Sequence, residues 1–240
     1  MQYNFIQTEI NNHVFNLILN RDEKRNAFNL VMLKEISSAL EEAAQNDEIK
    51  VLVIRAKGKV FCAGMDLKSF QQDSSEVGLE GSGFDNVSLA DILDQFNKPS
   101  IAIVEGDVIA GGFLFLLGCT YVFAQKEVRF KLPEIELGLF PFQVMAGLLR
   151  VMPEKKALQM CLDTEYFDVE KAISSGIVDG ILNQQVVDRL LTSFEKIDLL
   201  AVVEGFKATK MLRGMDDRKQ YEFLLSCLQQ LKENSLKKNR

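Results

Sequence analysis

Val104-Glu105-Gly106-Asp107-Val108-Ile109-Ala110-Gly111-Gly112, continuing as Phe113-Leu114-Phe115-Leu116-Leu117-Gly118, is the stretch from which the fold of this chain is read. It leaves the β-rich run Ser100-Ile101-Ala102-Ile103-Val104, turns at Gly106, and enters an apolar segment through Ala110, Gly111 and Gly112. That order predicts a strand, a tight turn and a buried helix. Amides in the first turn of a helix have no intrahelical acceptor and sit at the positive end of the macrodipole. Gly111 and Gly112 can therefore expose N–H donors to an anionic oxygen. Taken alone, the small residues speak more strongly for close helix–strand packing.

A second stretch shifts that balance. Val51-Leu52-Val53-Ile54-Arg55 is a short apolar run of the buried-strand kind, leading through Gly58 into Val60-Phe61-Cys62-Ala63-Gly64-Met65-Asp66-Leu67. With both turns at one end of a stack of strands, the Met65 and Gly111 amides would converge on one oxygen. Two such donors stabilise an enolate or a tetrahedral intermediate, and losing one costs about 3 kcal/mol.

Four blocks now stand in order: Asn20-Arg21-Asp22-Glu23-Lys24-Arg25-Asn26-Ala27-Phe28-Asn29, Phe61 to Leu67, Val104 to Gly112, and Phe130-Lys131-Leu132-Pro133-Glu134-Ile135-Glu136-Leu137-Gly138. In sequence and spacing they resemble the crotonase (enoyl-CoA hydratase/isomerase) superfamily. The resemblance implies a mixed α/β fold, a spiral of β-β-α repeats over residues 1–190 with a C-terminal helical region at 191–240. It also implies a homotrimer or a dimer of trimers acting on acyl-CoA or acyl-carrier-protein thioesters, with no metal and no cofactor beyond the CoA of the substrate. Met65 and Gly111 fall on the oxyanion donors and Glu134 on the catalytic base. Lys24, Arg25 and Ala27 fall where relatives contact the CoA phosphates or pantetheine, and Ala63, Asp66 and Leu67 near the turn whose carbonyls read the adenine.

In hydratases of this superfamily a second glutamate follows the oxyanion glycine by one helical turn; here that place is Leu114. Leucine neither holds nor activates water. Syn addition of water to a 2-enoyl thioester uses both carboxylates, whereas moving a double bond from C3 to C2 needs one carboxylate and an oxyanion hole. The chain thus resembles an enoyl-CoA isomerase more than a two-glutamate hydratase. A one-glutamate hydratase, a decarboxylase or dehydratase acting on a carrier-protein thioester, and a non-catalytic paralogue are the alternatives. Glu136, two residues from Glu134, points the opposite way if the segment is extended.

Composition frames these readings. The chain has 240 residues, 47% of them hydrophobic, enough for one sizeable core. A net charge of −6 argues against nucleic acid or an anionic membrane as the main partner. The N-terminal Met1-Gln2-Tyr3-Asn4-Phe5 carries no basic n-region, and the apolar run from Val108 to Leu117 is too short to span a bilayer, so a cytoplasmic location is the default. Cys62, Cys119, Cys161 and Cys227 are widely spaced and read as reduced packing residues. His13 is the single histidine, which removes His-based dyads, triads and zinc sites; beside a turn it reads as a solvated residue.

The remaining segments supply scaffold. Residues 5–19 read as two strands turning at Asn11-Asn12, and Leu30, Leu33, Ile36, Leu40 and Ala43 recur with helical spacing from about Asn29 to Ala44. The stretch 68–96 is poor in pattern until a helix near Ser88 to Phe96; by resemblance it covers the acyl pocket. Helices are expected from Pro141 to Val151 and from Lys155 to Cys161, with a break at Pro153. Asp168 caps a helix over Val169–Ser175, and an extended piece follows at Ile177-Val178-Asp179. The last fifty residues are helical in period, and by resemblance Lys207 or Lys210 approaches the CoA.

Overall fold

A computed structural model of the chain describes residues 3–69 and 88–238. It begins with an antiparallel hairpin, β1 (Ile6–Asn11) and β2 (Val14–Leu19), closed at Asn12, whose φ of 54° is a left-handed conformation that asparagine tolerates. Helix α1 (Leu30–Gln45) starts at Asn29, whose side chain accepts the Met32 N–H at 3.0 Å and so satisfies an amide the helix cannot. Its other end is closed by buried Lys98, which donates to the carbonyls of Ala43 (2.8 Å) and Asn46 (2.7 Å).

A repeat then sets in. Strands β3 (Val51–Ala56) and β4 (Val60–Cys62) are followed by α2 (Leu89–Gln95), capped by Ser88. Next come β5 (Ser100–Val104), β6 (Asp107–Ile109) and α3 (Phe113–Gly118), and then β7 (Tyr121–Ala124) and β8 (Phe130–Lys131). The first strand of each repeat joins a six-stranded sheet ordered β1-β2-β3-β5-β7-β9, where β9 is Gly180–Ile181; the second joins a three-stranded sheet ordered β4-β6-β8. From β2 onward every pairing is parallel, so successive repeats stack in register as a spiral.

Both faces of the large sheet are covered, and the strand sequences show it. Leu52 and Ile54 of β3 enter the main core with Leu17, Ala102 and Val122. Their neighbours Val51 and Val53 enter a second cluster with Val14, Ile101 and Phe123. An apolar residue at every position is the signature of a parallel strand buried on two sides. The second cluster is completed by Val187 and Phe194 of α7 (Gln184–Phe194), so sheet packing runs past residue 190 into that helix.

The chain closes with α4 (Phe142–Leu148), α5 (Glu154–Leu162), α6 (Val169–Ser174), the short β9 (Gly180–Ile181), α7, α8 (Leu199–Met211) and α9 (Asp217–Lys238). Asp168 accepts the Lys171 amide at 2.8 Å, the cap its position predicts.

Three details depart from the sequence reading. The chain does not pass directly from the Gly106 turn into a helix: β6 intervenes, too short to leave a periodic signature. The extended piece near residue 178 pairs with the sheet slightly later, at Gly180–Ile181. His13 is not merely solvated; its Nε2 lies 2.9 Å from the Leu191 carbonyl and ties the hairpin to α7. The expected cover of the acyl pocket falls largely on residues 70–87, outside the described residues. Among the described residues no helix is long and apolar enough to cross a membrane.

Candidate active site

Parallel pairing of β4 with β6, Val60 against Asp107 and Cys62 against Val108, sends both strands out of the small sheet at the same end. The turns that follow lie against each other. A Cβ on Gly64, where φ is +84°, would stand 2.8 Å from the Ala110 Cβ and 2.9 Å from the Gly111 nitrogen. A Cβ on Gly112 would stand 2.5 Å from the Cys62 carbonyl oxygen. Ala110 itself holds a left-handed φ of 52°, a strained conformation for a residue with a side chain. Packing and exposure therefore divide between neighbours: Gly112 is required by contact, while Gly111 is the second residue of a 3-10 turn over Ala110–Gly112 whose first amides have no intrahelical acceptor.

Met65 acquires its orientation from the opposite loop. Phe28 donates its amide to the Gly64 carbonyl (2.9 Å) and accepts the Asp66 amide (2.9 Å), forming a parallel bridge with Met65 between them. In that pattern the N–H and C=O of Met65 point away from Phe28. Met65 and Gly111 both line one cavity of about 780 Å³.

The loop at 20–29 is clamped beneath this arrangement by residues whose sequence context gave no such signal. Asn26 is fully buried; its Oδ1 accepts the Arg21 amide (2.8 Å) and its Nδ2 donates to the Lys57 and Val60 carbonyls (2.8 Å each). The Ala63 amide donates to the Arg25 carbonyl (3.0 Å), and the Cys62 thiol donates to the Asn26 carbonyl (3.1 Å) while accepting from Gly64. Burial pushes the Cys62 thiol pKa up to about 12, so it stays a neutral thiol that packs and hydrogen-bonds. Arg21 pairs with Asp66 at 3.0 Å. Burial disfavours the charged Asp66 carboxyl, but hydrogen bonds from Ser69 and Arg21 outweigh that and hold it below the usual carboxylate range.

Glu134 lines the same cavity as this pair of turns. It opens a 3-10 turn over Glu134–Leu137, entered after Pro133 and closed by Gly138 in a left-handed conformation. The segment is therefore coiled, not extended. Glu136 stands exposed with Lys131 Nζ 3.3 Å from its carboxylate, so it is not placed by strand alternation. The Glu134 side chain is half-buried, and its Oε2 is buried with no hydrogen-bond partner. Burial raises its pKa above the ordinary glutamate value. Cys161 of α5 packs close behind: burial first, and then the charge of Glu134, raise its thiol pKa.

Of the residues singled out from sequence, the cavity brings together Met65, Gly111, Glu134, Leu114, Arg25, Ala63 and Leu67. Lys24, Ala27 and Asp66 do not line it: Lys24 is exposed on the preceding turn, the Ala27 carbonyl accepts from Arg21 Nη1 (2.6 Å), and the Asp66 carboxylate is committed to Arg21 and Ser69. Lys207 pairs with Glu204 at 2.9 Å on α8. Lys210 donates to the Asp94 carbonyl and to Asn97 Oδ1 at the end of α2, which fastens α8 and accounts for its burial. Among the described residues, Arg25 and Glu134 are the only ionisable groups lining the cavity. Leu114, 5% exposed, lines the cavity with an apolar side chain.

Comparison with known proteins gives this arrangement a context. A profile of the enoyl-CoA hydratase/isomerase family matches residues 9–220. A probable enoyl-CoA hydratase of Rhizobium meliloti is 30% identical over 207 residues, covering 82% of this chain and 76% of that protein. The peroxisomal bifunctional enzyme of Cavia porcellus is 29% identical over 186 residues, 77% of this chain but only 25% of that one. Among solved structures, an enoyl-CoA hydratase from Shewanella pealeana superposes with a TM-score of 0.84 at 25% identity, over 96% of this chain and 89% of the other. The chain belongs to the enoyl-CoA hydratase/isomerase family.

Proposed function

We propose that the protein moves the double bond of a 3-enoyl thioester to the 2-position, with Glu134 as the single proton carrier. The observation that carries this reading is a cavity in which Glu134 is the only carboxylate among the described residues, with Leu114 in place of a second one. The thioester carbonyl would accept the Met65 and Gly111 amides. Glu134 takes a proton from C2; the C–H pair becomes the C1–C2 double bond of a dienolate as the carbonyl pair moves onto the thioester oxygen, the C3–C4 double bond being still in place. When the carbonyl re-forms, the C1–C2 pair becomes the C2–C3 double bond and the C3–C4 pair takes the proton back from Glu134 at C4. No atom is gained or lost.

The physical terms are of the right size. Each oxyanion donor contributes roughly 10²–10³-fold, and a positioned general base about 10²–10⁴-fold. Burial raises the Glu134 pKa, bringing it closer to the operating pH, which is the condition for both accepting and returning a proton. Arg25 lines the cavity and would meet a phosphate of CoA or of a carrier-protein prosthetic arm. We propose a homotrimer or dimer of trimers as the working assembly and the cytoplasm as its location.

Water addition to a 2-enoyl thioester is the second reading. It is favoured by the hydratase names of the relatives and by Gln143, a polar residue lining the same cavity whose Oε1 accepts from Ser88 Oγ (2.9 Å) and whose Nε2 could donate to a water. Supplying 3-enoyl-CoA and 2-enoyl-CoA of several lengths, with the corresponding carrier-protein thioesters, separates the two. Conversion of 3-enoyl to 2-enoyl without hydroxyacyl product supports isomerisation; rapid hydration supports the second reading. Inactivity on every thioester would leave the fold as a binding module.

A further inference from the structure

A second cavity of about 320 Å³ adjoins the first, and Leu114 and Gln143 line both. It lies between α2, α3, α4 and α8, and neither Ala63 nor Arg25 lines it. Its inner wall is apolar, with Leu93, Phe96, Leu114, Leu117 and Phe206. Its outer wall is cationic. Arg150 and Arg213 both reach the same oxygen of Asp94, Oδ1, at 3.4 Å and 3.0 Å, while Lys210 binds the Asp94 backbone and Asn97. Three cations thus face one carboxylate, the only one lining this cavity among the described residues.

We propose that this second cavity receives the distal end of the acyl group, and that Arg150 and Arg213 select a thioester whose chain ends in a carboxylate. The proposal deepens the functional reading above, since it takes the thioester to sit between Met65, Gly111 and Glu134. An acyl chain leaving that point away from Arg25 meets Leu114 and then the apolar wall. Gln143 of α4 lines both cavities and Arg150 stands just past the end of that helix, so a chain long enough to run past Gln143 brings a terminal carboxylate to the guanidinium groups. Two planar forks sharing one acceptor oxygen keep N–H donors for a second carboxylate, the geometry arginine matches best. Burial first, and then Arg213 and Arg150, lower the Lys210 pKa against the opposing charge of Asp94.

If the three cations served only to fasten α8 to α2, they would not distinguish one acyl terminus from another. Calorimetric titration of the full chain with saturated CoA thioesters decides this without turnover, so it is read separately from the question of which reaction is catalysed. The ligands are hexanoyl-, octanoyl- and decanoyl-CoA, and the CoA monothioesters of hexanedioic, octanedioic and decanedioic acids. The expected result is at least tenfold tighter binding of a dicarboxylic monothioester than of its plain counterpart for at least one of the three lengths, shrinking as salt is added. Arg150→Gln with Arg213→Gln should bring that ratio to about one, Arg150→Lys should retain part of it, and Lys207→Gln, outside the cavity, should leave it in place. Equal affinity of the wild type for both series, or a ratio that survives the double substitution, would overturn the proposal; because the first needs no variant, misfolding of the double substitution cannot protect it.

Discussion

Glu134 is the residue on which chemistry and stability pull in opposite directions. Its folded-state pKa is raised by burial, so the native state holds the proton more tightly than the unfolded chain does. By linkage, its contribution to stability is greatest in acid and is lost as the pH climbs from the unfolded-state value through the raised folded-state value. Replacing it with glutamine should therefore raise the melting temperature at pH 8, and that gain should vanish near pH 4; a variant less stable than wild type at pH 8 would contradict the assigned cause. The same shift predicts that kcat/KM for a 3-enoyl thioester falls on the acid side at a pH above the ordinary glutamate range, since the base must be ionised to act. Leu114 supplies the complementary test. Leu114→Glu places a carboxylate at a site only 5% exposed, so it should lower thermal stability and introduce or raise hydration of 2-enoyl-CoA. Retained folding with no gain in hydration would mean that this side chain does not face the reacting carbons.

At the scale of the turns and strands, two glycines with nearly the same backbone strain should behave differently. Gly64 and Gly138 both have left-handed φ, +84° and +71°, but a Cβ on Gly64 would strike Ala110 and the Gly111 nitrogen, whereas one on Gly138 meets nothing within 4 Å. Gly138→Ala should cost about 1–2 kcal/mol of stability and keep activity. Gly64→Ala should also force the two amide-bearing turns apart and reduce kcat by roughly 10²-fold; thermal denaturation and steady-state kinetics on both variants give the comparison. Elements of this kind differ in how plainly the sequence announces them. The hairpin at Asn11-Asn12, the Asp168 cap and the two-sided β3 strand rest on local chemistry and could be read residue by residue. The three residues of β6 are too few to show a period, and the coil at Glu134 is set by Gly138 closing a turn that Pro133 opens. Lys210 looked available to a ligand because nothing local reveals that the end of α2 lies beside it. Asn26 gave no sign of its clamp, since Lys57, Val60 and Cys62, which bind it, follow it by 31, 34 and 36 residues. The second cavity has no local signature either, being assembled by four helices separated in sequence.

For the molecule as a whole, the spiral brings a turn from each repeat to one end and leaves large apolar side chains outside. Phe142 is 69% exposed, Leu162 64% and Tyr221 81%. A single chain that left such groups in water would be a poor monomer, and a self-assembling protein hides them in its interfaces. Light scattering on the purified protein should give three or six times the chain mass of 27.1 kDa; a stable monomer at micromolar concentration would argue that another partner covers these faces. All of these readings assume one carboxylate working beside two backbone amides. The most direct measurement is the rate at which wild type and Glu134→Gln convert 3-enoyl-CoA to 2-enoyl-CoA, with both proteins shown to be folded and to bind a saturated acyl-CoA. The account predicts ready conversion by the wild type and a loss of about 10²–10⁴-fold in the variant with thioester affinity kept. A folded glutamine variant that still moved the double bond at close to the wild-type rate would contradict it.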